Sequence, residues 1–184
     1  MAQDTLSRSL HDVGLAAWFG GTLANAVALN SAAAEAGTPG GTGRVANTGW
    51  NRWTPVNAAA IGAHLVGSVG ELIGNKGRLT AQPGVASMSL AKTGLTVAAL
   101  GATGYSRALG RKVAEDTSVP AESATDPSPA TPDHVAKAQK QLKALQWVVP
   151  ALTGALVVIS SFAGEQQRAG SVKKGVLNRF RPGR

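Results

Sequence analysis

Charged residues are spread unevenly along this 184-residue chain, and the gaps between them outline four long segments. The uncharged runs hold 22, 18, 14 and 21 residues, within Asp12–Glu35, Arg52–Glu71, Lys92–Arg107 and Lys143–Glu165. A helix rises about 1.5 Å per residue, so about 20 apolar residues cross a hydrocarbon layer about 30 Å thick. The third run reaches that length when its flanking lysine and arginine extend to the membrane surfaces. The pattern predicts four transmembrane helices, at about 13–34, 55–73, 88–109 and 145–164.

Two other interpretations of these runs stay open. A soluble or peripheral helical protein would have to enclose four uncharged helices on all sides, and the remaining chain is short for that. A cleaved secretory leader is the second alternative, because Arg8 precedes an apolar run that ends in SAAAEA. Asp4 and Asp12 remove the positive bias of a leader, which favours a retained first helix.

Proline and glycine predict where the spans are connected. Thr54 followed by Pro55 has the form of an N-cap with proline at the first helical position, so the second span is expected to begin there. The glycine-rich segment before it is expected to form a turn. The connection at 74–84 is short, so the second and third spans are predicted to be antiparallel neighbours. Residues 133–146 are predicted to form an amphipathic helix that leads into the fourth span.

Two polar segments lie outside the predicted spans. Residues 115–133 contain five acids and four prolines with little to bury, so a flexible loop is expected at about 115–132. The tail at 168–184 has six basic residues, no acid and an apolar residue every four positions, which suits anionic lipid headgroups. The chain thus divides into a four-helix transmembrane domain at 1–167 and a basic amphipathic tail. The residues expected to anchor this tail at the membrane surface are Lys173, Lys174, Arg179 and Arg181.

Composition changes this picture only in part. The mean hydropathy is +0.01, close to that of a soluble protein, because alanine and 23 glycines dilute the apolar runs. The chain has no cysteine, which excludes disulfides, zinc–thiolate sites, iron–sulfur clusters and a cysteine nucleophile. A net charge of +8 would suit nucleic acid, but no stacking platform or groove-reading motif accompanies it. The basic residues are therefore expected to flank and anchor the spans.

The distribution of lysine and arginine gives a narrow preference for orientation. Four spans place both termini on one side, which collects nine basic residues against eight on the other. The tail is basic and free of acids, which favours termini in the cytoplasm. The expected location is the cell membrane, as a multi-pass protein.

Small residues recur every four positions within the predicted spans. In a bilayer such residues let helix backbones approach closely. The same faces are candidates for association with a second copy or with a partner protein. The residues expected to pack helices together are Gly20, Ala24, Ala63, Gly67, Gly70, Gly74, Gly94 and Ala98.

One polar stripe could carry chemistry. Asn57, His64 and Glu71 are seven residues apart, so they lie along one face of the second span. Such a stripe could pass protons or bind a cation, because ionisable groups are costly inside a membrane. The structural alternative is a neutral His64 that hydrogen-bonds across helices, with Glu71 paired to a basic residue beyond the span. A bis-histidine haem site is not expected, because His11 is predicted at a membrane edge and His134 beyond the bilayer.

Three segments, LHDVGLAAWFGG, RVANTGWNRWTPVNAAAIGAHLVG and LQWVVPALTGALVV, resemble uncharacterised four-span membrane proteins of high-GC Gram-positive bacteria. The layout is also loosely similar to DoxX-like membrane proteins. The resemblance implies an all-α integral membrane four-helix bundle and carries over no catalytic residue, metal ligand or cofactor. The expected function is that of a non-enzymatic accessory, assembly or envelope-associated membrane component. The alternative is a small transporter or redox-associated protein that uses the polar stripe.

Overall fold

The computed structural model describes residues 2–77, 84–115 and 120–166, and four long helices make up most of them. Regular structure in these residues is helical, apart from a single antiparallel bridge between Ala121 and Pro127. The expected all-α fold with four helices is confirmed. The helices are α1 (Ala2–Ala24), α2 (Pro39–Gly74), α3 (Val85–Ala114) and α4 (Asp133–Gln166).

Length and composition allow four helical segments of the described chain to cross a membrane. This finding supports the multi-pass membrane protein expected from the charge pattern. The segments are Thr5–Ala36, Pro39–Gly74, Val85–Ala114 and Asp133–Gly164.

The first helical segment is longer than its apolar run. Helix α1 begins at Ala2 rather than near residue 13, because polar residues at a helix end interrupt the apolar pattern without ending the helix. It continues through a π-helical turn at Asn25–Leu29, a short α-helical turn and a 3-10 turn at Ala33–Ala36. The left-handed backbone of Gly37, with φ of 73°, then ends the segment.

The start of α2 corrects a sequence prediction. Thr38 caps the helix by accepting a hydrogen bond from the backbone N–H of Gly41 at 3.1 Å, and Pro39 takes the first helical position. Pro55 lies inside the helix, so the predicted start at Pro55 and the glycine-rich turn before it are wrong. The Thr54 hydroxyl donates to the carbonyl oxygen of Trp50 at 2.8 Å. The Thr-Pro pair occurs three times, at Thr38, Thr54 and Thr131, and only the first copy follows a glycine, Gly37, whose left-handed backbone reverses the chain.

Helices α3 and α4 also extend beyond their predicted spans. Helix α3 begins directly after Gly84, whose φ of 85° is left-handed. Helix α4 is continuous from Asp133, so the predicted amphipathic lead-in and the fourth span form one helix with Pro150 inside it. Val135 and Ala138 of the lead-in are buried.

The packing of the helices differs from the simple order along the chain. Helix α1 packs mainly on α2 and also contacts α4, while α3 packs mainly on α4. Helices α2 and α3 meet at few positions, so the expected close pairing of the second and third spans is wrong. The core between the helices contains Trp18 of α1, Ala60 of α2 and Ala99 of α3.

The connection before α4 is more closely packed than its composition predicts. Ala121, Thr125 and Thr131 are buried, so the expectation that the segment has little to bury is wrong for these residues. The Lys143 side chain of α4 bonds to the carboxylate of Asp126, and this hydrogen bond lowers the pKa of Asp126 below its usual value. The flexibility of 115–132 stays a prediction, and residues 116–119 lie outside the described chain. The basic tail, with Lys173, Lys174, Arg179 and Arg181, also lies outside it.

Candidate functional site

Glycine lets α1 and α2 come close enough for their buried polar groups to touch. A Cβ atom at Gly14 would overlap the backbone of His64. A Cβ atom at Gly67 would overlap the backbone of His11 in the same way. The two helices therefore approach each other backbone to backbone at the levels of both histidines.

This approach places His11 and His64 in ring contact. Their ring centroids are 4.6 Å apart with the planes tilted by 47°, and the two residues are 1% and 0% exposed. His11 Nδ1 lies 2.8 Å from the Asp12 carboxylate, and His64 Nδ1 lies 3.4 Å from the His11 carbonyl oxygen. Within the described residues both Nε2 atoms are buried without a hydrogen-bond partner. A water molecule or a ligand would complete such an atom, and four other buried polar side-chain atoms of the described residues are in the same state.

Trp18 covers the other side of His64. The ring centroids of these two residues are 6.0 Å apart. The Trp18 Nε1–H donates to the hydroxyl oxygen of Thr103 on α3 at 3.2 Å. His64 is therefore enclosed by α1 on both sides, and the tryptophan links it to a third helix.

A first cavity, of about 280 Å³, lies beside the histidine pair and contains both signs of charge. Glu71 and Lys92 form an ion pair across it with an N–O distance of 3.5 Å, and their side chains are 20% and 18% exposed. The sequence predicts a partner for Glu71 just beyond the end of its own helix, whereas the ion pair described here joins it to α3. The polar residues that line this cavity are Arg8, His11, Asp12, Glu71, Lys92, Ser160 and Ser161.

A second cavity, of about 220 Å³, lies towards the opposite end of α2. Asn30, which directly follows the π-helical turn, donates to the Gln146 side chain at 2.7 Å and accepts from Trp50 Nε1 at 2.9 Å. The π-helical turn thus ends at a residue that joins three helical segments, as such turns often do near functional sites. Asn57 and Thr103 also line this cavity.

The predicted polar stripe therefore spans three separate environments. Asn57 lies at the second cavity, Glu71 lies at the first, and His64 is buried between them. The line of contacts from the first cavity runs through His11, His64 and Trp18 to Thr103. The stripe on α2 thus contributes His64 to a polar path, and α1 and α3 contribute His11, Trp18 and Thr103.

Sequence reasoning missed His11 as a partner of His64. The nearby Asp12 makes His11 look like a membrane-edge residue, and only the register of α1 against α2 places its ring beside His64. The available signal was the matched pair of glycines, Gly14 and Gly67, three residues away from the two histidines on their own helices. This signal is weak in a chain with 23 glycines.

The predicted packing residues divide into two groups. Gly67 and Gly70 face α1, where a Cβ at Gly70 would overlap the Ser7 side chain, and Ala63 is half-buried. The other residues do not pack these four helices together in the described chain, because they lie on exposed faces. These are Gly20, Ala24, Gly74, Gly94 and Ala98. A spacing of four marks several faces of an alanine-rich helix equally, and on α3 the buried positions are Ala99 and Leu109.

The geometry of the histidine pair bears on two kinds of bound group, a haem and a metal ion. The imidazoles are in direct contact, so they do not lie on opposite faces of a haem plane. In the part of the chain that the structure describes, no three histidine, aspartate or glutamate side chains are grouped so as to hold a metal ion.

Comparison with protein-family models, curated proteins and solved structures finds no match to this chain. The resemblance noted in the sequence is thus supported only by the presence of four apolar helices, and membership of a particular family stays a prediction. The class that the fold defines is a four-helix protein with helices suited to a membrane.

Proposed function

We propose that this protein is a small multi-pass transporter of the cell membrane, with cytoplasmic termini, in which the two histidines pass protons or a small cation. The observation that carries the proposal is the buried contact between His11 and His64, each with an unpartnered Nε2. Imidazole gains and loses a proton near neutral pH in water, which suits a relay. Ionisable side chains inside a membrane bundle commonly mark such pathways.

The two cavities supply the ends of the pathway. The first has two cations and two anions, Arg8, Lys92, Asp12 and Glu71, and these groups favour entry of water. The second is lined by amide and hydroxyl side chains around Asn57. Trp18 is fully buried between them, so it acts as the gate that separates the cavities.

The test is proton flux into vesicles that contain the purified protein. A potassium gradient with valinomycin drives protons inward, and a trapped dye reports the internal pH. We expect flux above that of empty vesicles, and a fall of about tenfold or more in His64→Gln, because glutamine cannot relay a proton. His11→Gln should fall in the same way. His134→Gln is the matched control, since His134 is exposed and outside the apolar run, and its flux should equal that of the parent.

Folding must be measured with the same samples. Thermal unfolding in detergent shows whether His64→Gln has lost the bundle or only the relay. Flux in His64→Gln equal to the parent, at equal incorporation, contradicts the proposal. A loss of flux that matches a loss of folded protein assigns both histidines to packing.

A second candidate function is that of an accessory or assembly component, and the exposure of α3 favours it. Only 6% of the most apolar window of α3 is buried within the chain. A cysteine at Val97 on α3 is then expected to cross-link to a neighbouring protein in the membrane. Val66 on α2 is equally exposed, at 63%, and provides the control. Equal cross-linking from both positions would indicate random collision and contradict this function.

A further inference from the structure

A lateral cleft separates α2 from α3, and it shares the Glu71–Lys92 ion pair with the first cavity. The two helices meet at few positions, and the space between them has a volume of about 530 Å³. Both walls are mainly apolar. They include Leu65, Val69, Leu72, Met88, Val97 and Leu100.

The charged and amide groups of the cleft lie at its polar end, whereas the deeper, mainly apolar end is lined by no charged side chain and includes the hydroxyl groups of Ser68 and Thr96. Asn75 and Ser89 lie at the end where α2 finishes, and Leu65 and Leu100 lie deeper. Ten residues separate Leu65 from Asn75, which corresponds to about 15 Å along a helix. The part below Glu71 takes up six of these residues, about 9 Å, which is more than half of a leaflet about 15 Å deep.

The ion pair of Glu71 and Lys92 lies within the polar half of this cleft. Its N–O distance is 3.5 Å, and each side chain keeps about a fifth of its surface exposed. A ligand head with a single charge would be attracted by one of these groups and repelled by the other. A head that carries both charges is complementary to the pair.

We propose that the cleft binds one phospholipid with a zwitterionic, amine-bearing headgroup. One of its two acyl chains lies along the apolar walls, its ammonium donates hydrogen bonds to Glu71, and its phosphate accepts from Lys92. Phosphoethanolamine fits this description, because its ammonium has N–H donors. Phosphocholine has the same charges without these donors, so it forms weaker contacts with a carboxylate.

The test is native mass spectrometry of the delipidated full-length protein, titrated separately with phosphatidylethanolamine, phosphatidylcholine and phosphatidylglycerol. We expect one molecule of phosphatidylethanolamine to bind about tenfold more tightly than either of the others. Glu71→Gln and Lys92→Gln should each abolish this preference. Lys112→Gln removes an exposed cation from the far end of α3 and is the matched control, with the preference retained.

A reversed pair separates recognition from folding. Glu71→Lys combined with Lys92→Glu keeps one charge of each sign in the cleft, so it should restore the preference that each single change removes. Val69→Trp fills the apolar half, and it should weaken binding of all three lipids. Equal binding of the three lipids by the parent would indicate non-specific lipid and overturn the proposal. A preference for phosphatidylglycerol would overturn it in favour of an anionic site.

Discussion

At the scale of single residues, glycine decides whether the histidine pair can exist. Gly14 and Gly67 are the points where α1 and α2 touch through their backbones, and each faces the helix that carries the opposite histidine. A side chain at either position would push the helices apart. Gly62, on the same helix as Gly67, faces open space.

The first prediction compares Gly67→Ala with Gly62→Ala. The added methyl at Gly67 overlaps the backbone of His11, so we expect a loss of about 1–3 kcal/mol in the free energy of unfolding. The methyl at Gly62 meets nothing, and alanine favours a helix over glycine by up to about 1 kcal/mol, so that variant should be neutral or stabilised. Thermal unfolding in detergent measures both. Equal melting temperatures for the two variants would show that the contact between α1 and α2 at Gly67 accommodates a methyl group.

At the scale of elements, the ends of helices are set by local chemistry that repeats along the chain. Thr38 and Thr54 each precede a proline, but only Thr38 is extended and accepts a backbone hydrogen bond. Thr54 is inside α2 and donates to a carbonyl one turn earlier, a bond that contributes little to helix stability.

The second prediction follows from this difference. Thr38→Ala should lower the free energy of unfolding by about 1 kcal/mol, because a backbone N–H loses its cap. For a chain of this size that corresponds to a fall of about 2–4 °C in Tm. Thr54→Ala should leave Tm nearly unchanged. A larger loss in Thr54→Ala than in Thr38→Ala would place the helix start at Pro55.

The third prediction concerns the connection that docks on α4. The hydrogen bond from Lys143 lowers the pKa of Asp126, so this pair stabilises the fold above the unfolded pKa of about 3.9. The stabilisation is lost as the pH falls through the lowered pKa. Both side chains are more than a third exposed, so solvent limits the effect to below about 1 kcal/mol. Asp126→Asn should speed proteolysis of the connection at pH 7, and the difference from the parent should shrink as the pH falls below about 3.9, with Glu122→Gln as the control.

At the scale of the whole molecule, the arrangement of helices creates one polar path and one lateral cleft. The path runs through α1, α2 and α3, whereas the cleft exists because α3 packs on α4 and leaves α2. Both features therefore depend on the position of α3, which packs on α4, ends the polar path at Thr103 and leaves the cleft beside α2.

The fourth prediction tests whether the helices cross a bilayer. The chain has no cysteine, so single cysteines can be placed at Glu35, Lys76 and Glu115, which are all exposed. Glu35→Cys and Glu115→Cys should react with an impermeant maleimide from one side of the membrane. Lys76→Cys should react only from the other side, and all three should react after permeabilisation. Reaction of all three from one side in intact vesicles would contradict four spans.

Much of the architecture was predictable because it depends on composition within each segment. The absence of charge marked all four helices, and the seven-residue spacing singled out Asn57, His64 and Glu71. The ends were less predictable, since a helix such as α1 continues through polar residues once it has begun. The contacts of the site were not predictable. His11 and Lys92 lie on other helices, and nothing along α2 identifies them.

The sequence by itself determined which segments suit a membrane, because hydrocarbon excludes charge from each helix independently of its neighbours. It also determined that small residues would allow close packing. Only the tertiary structure decided which faces meet: it joined His11 to His64 and Glu71 to Lys92, and it separated α2 from α3. The reason is register. The vertical offset between two helices depends on every contact along their shared surface, and no repeat within one helix encodes it.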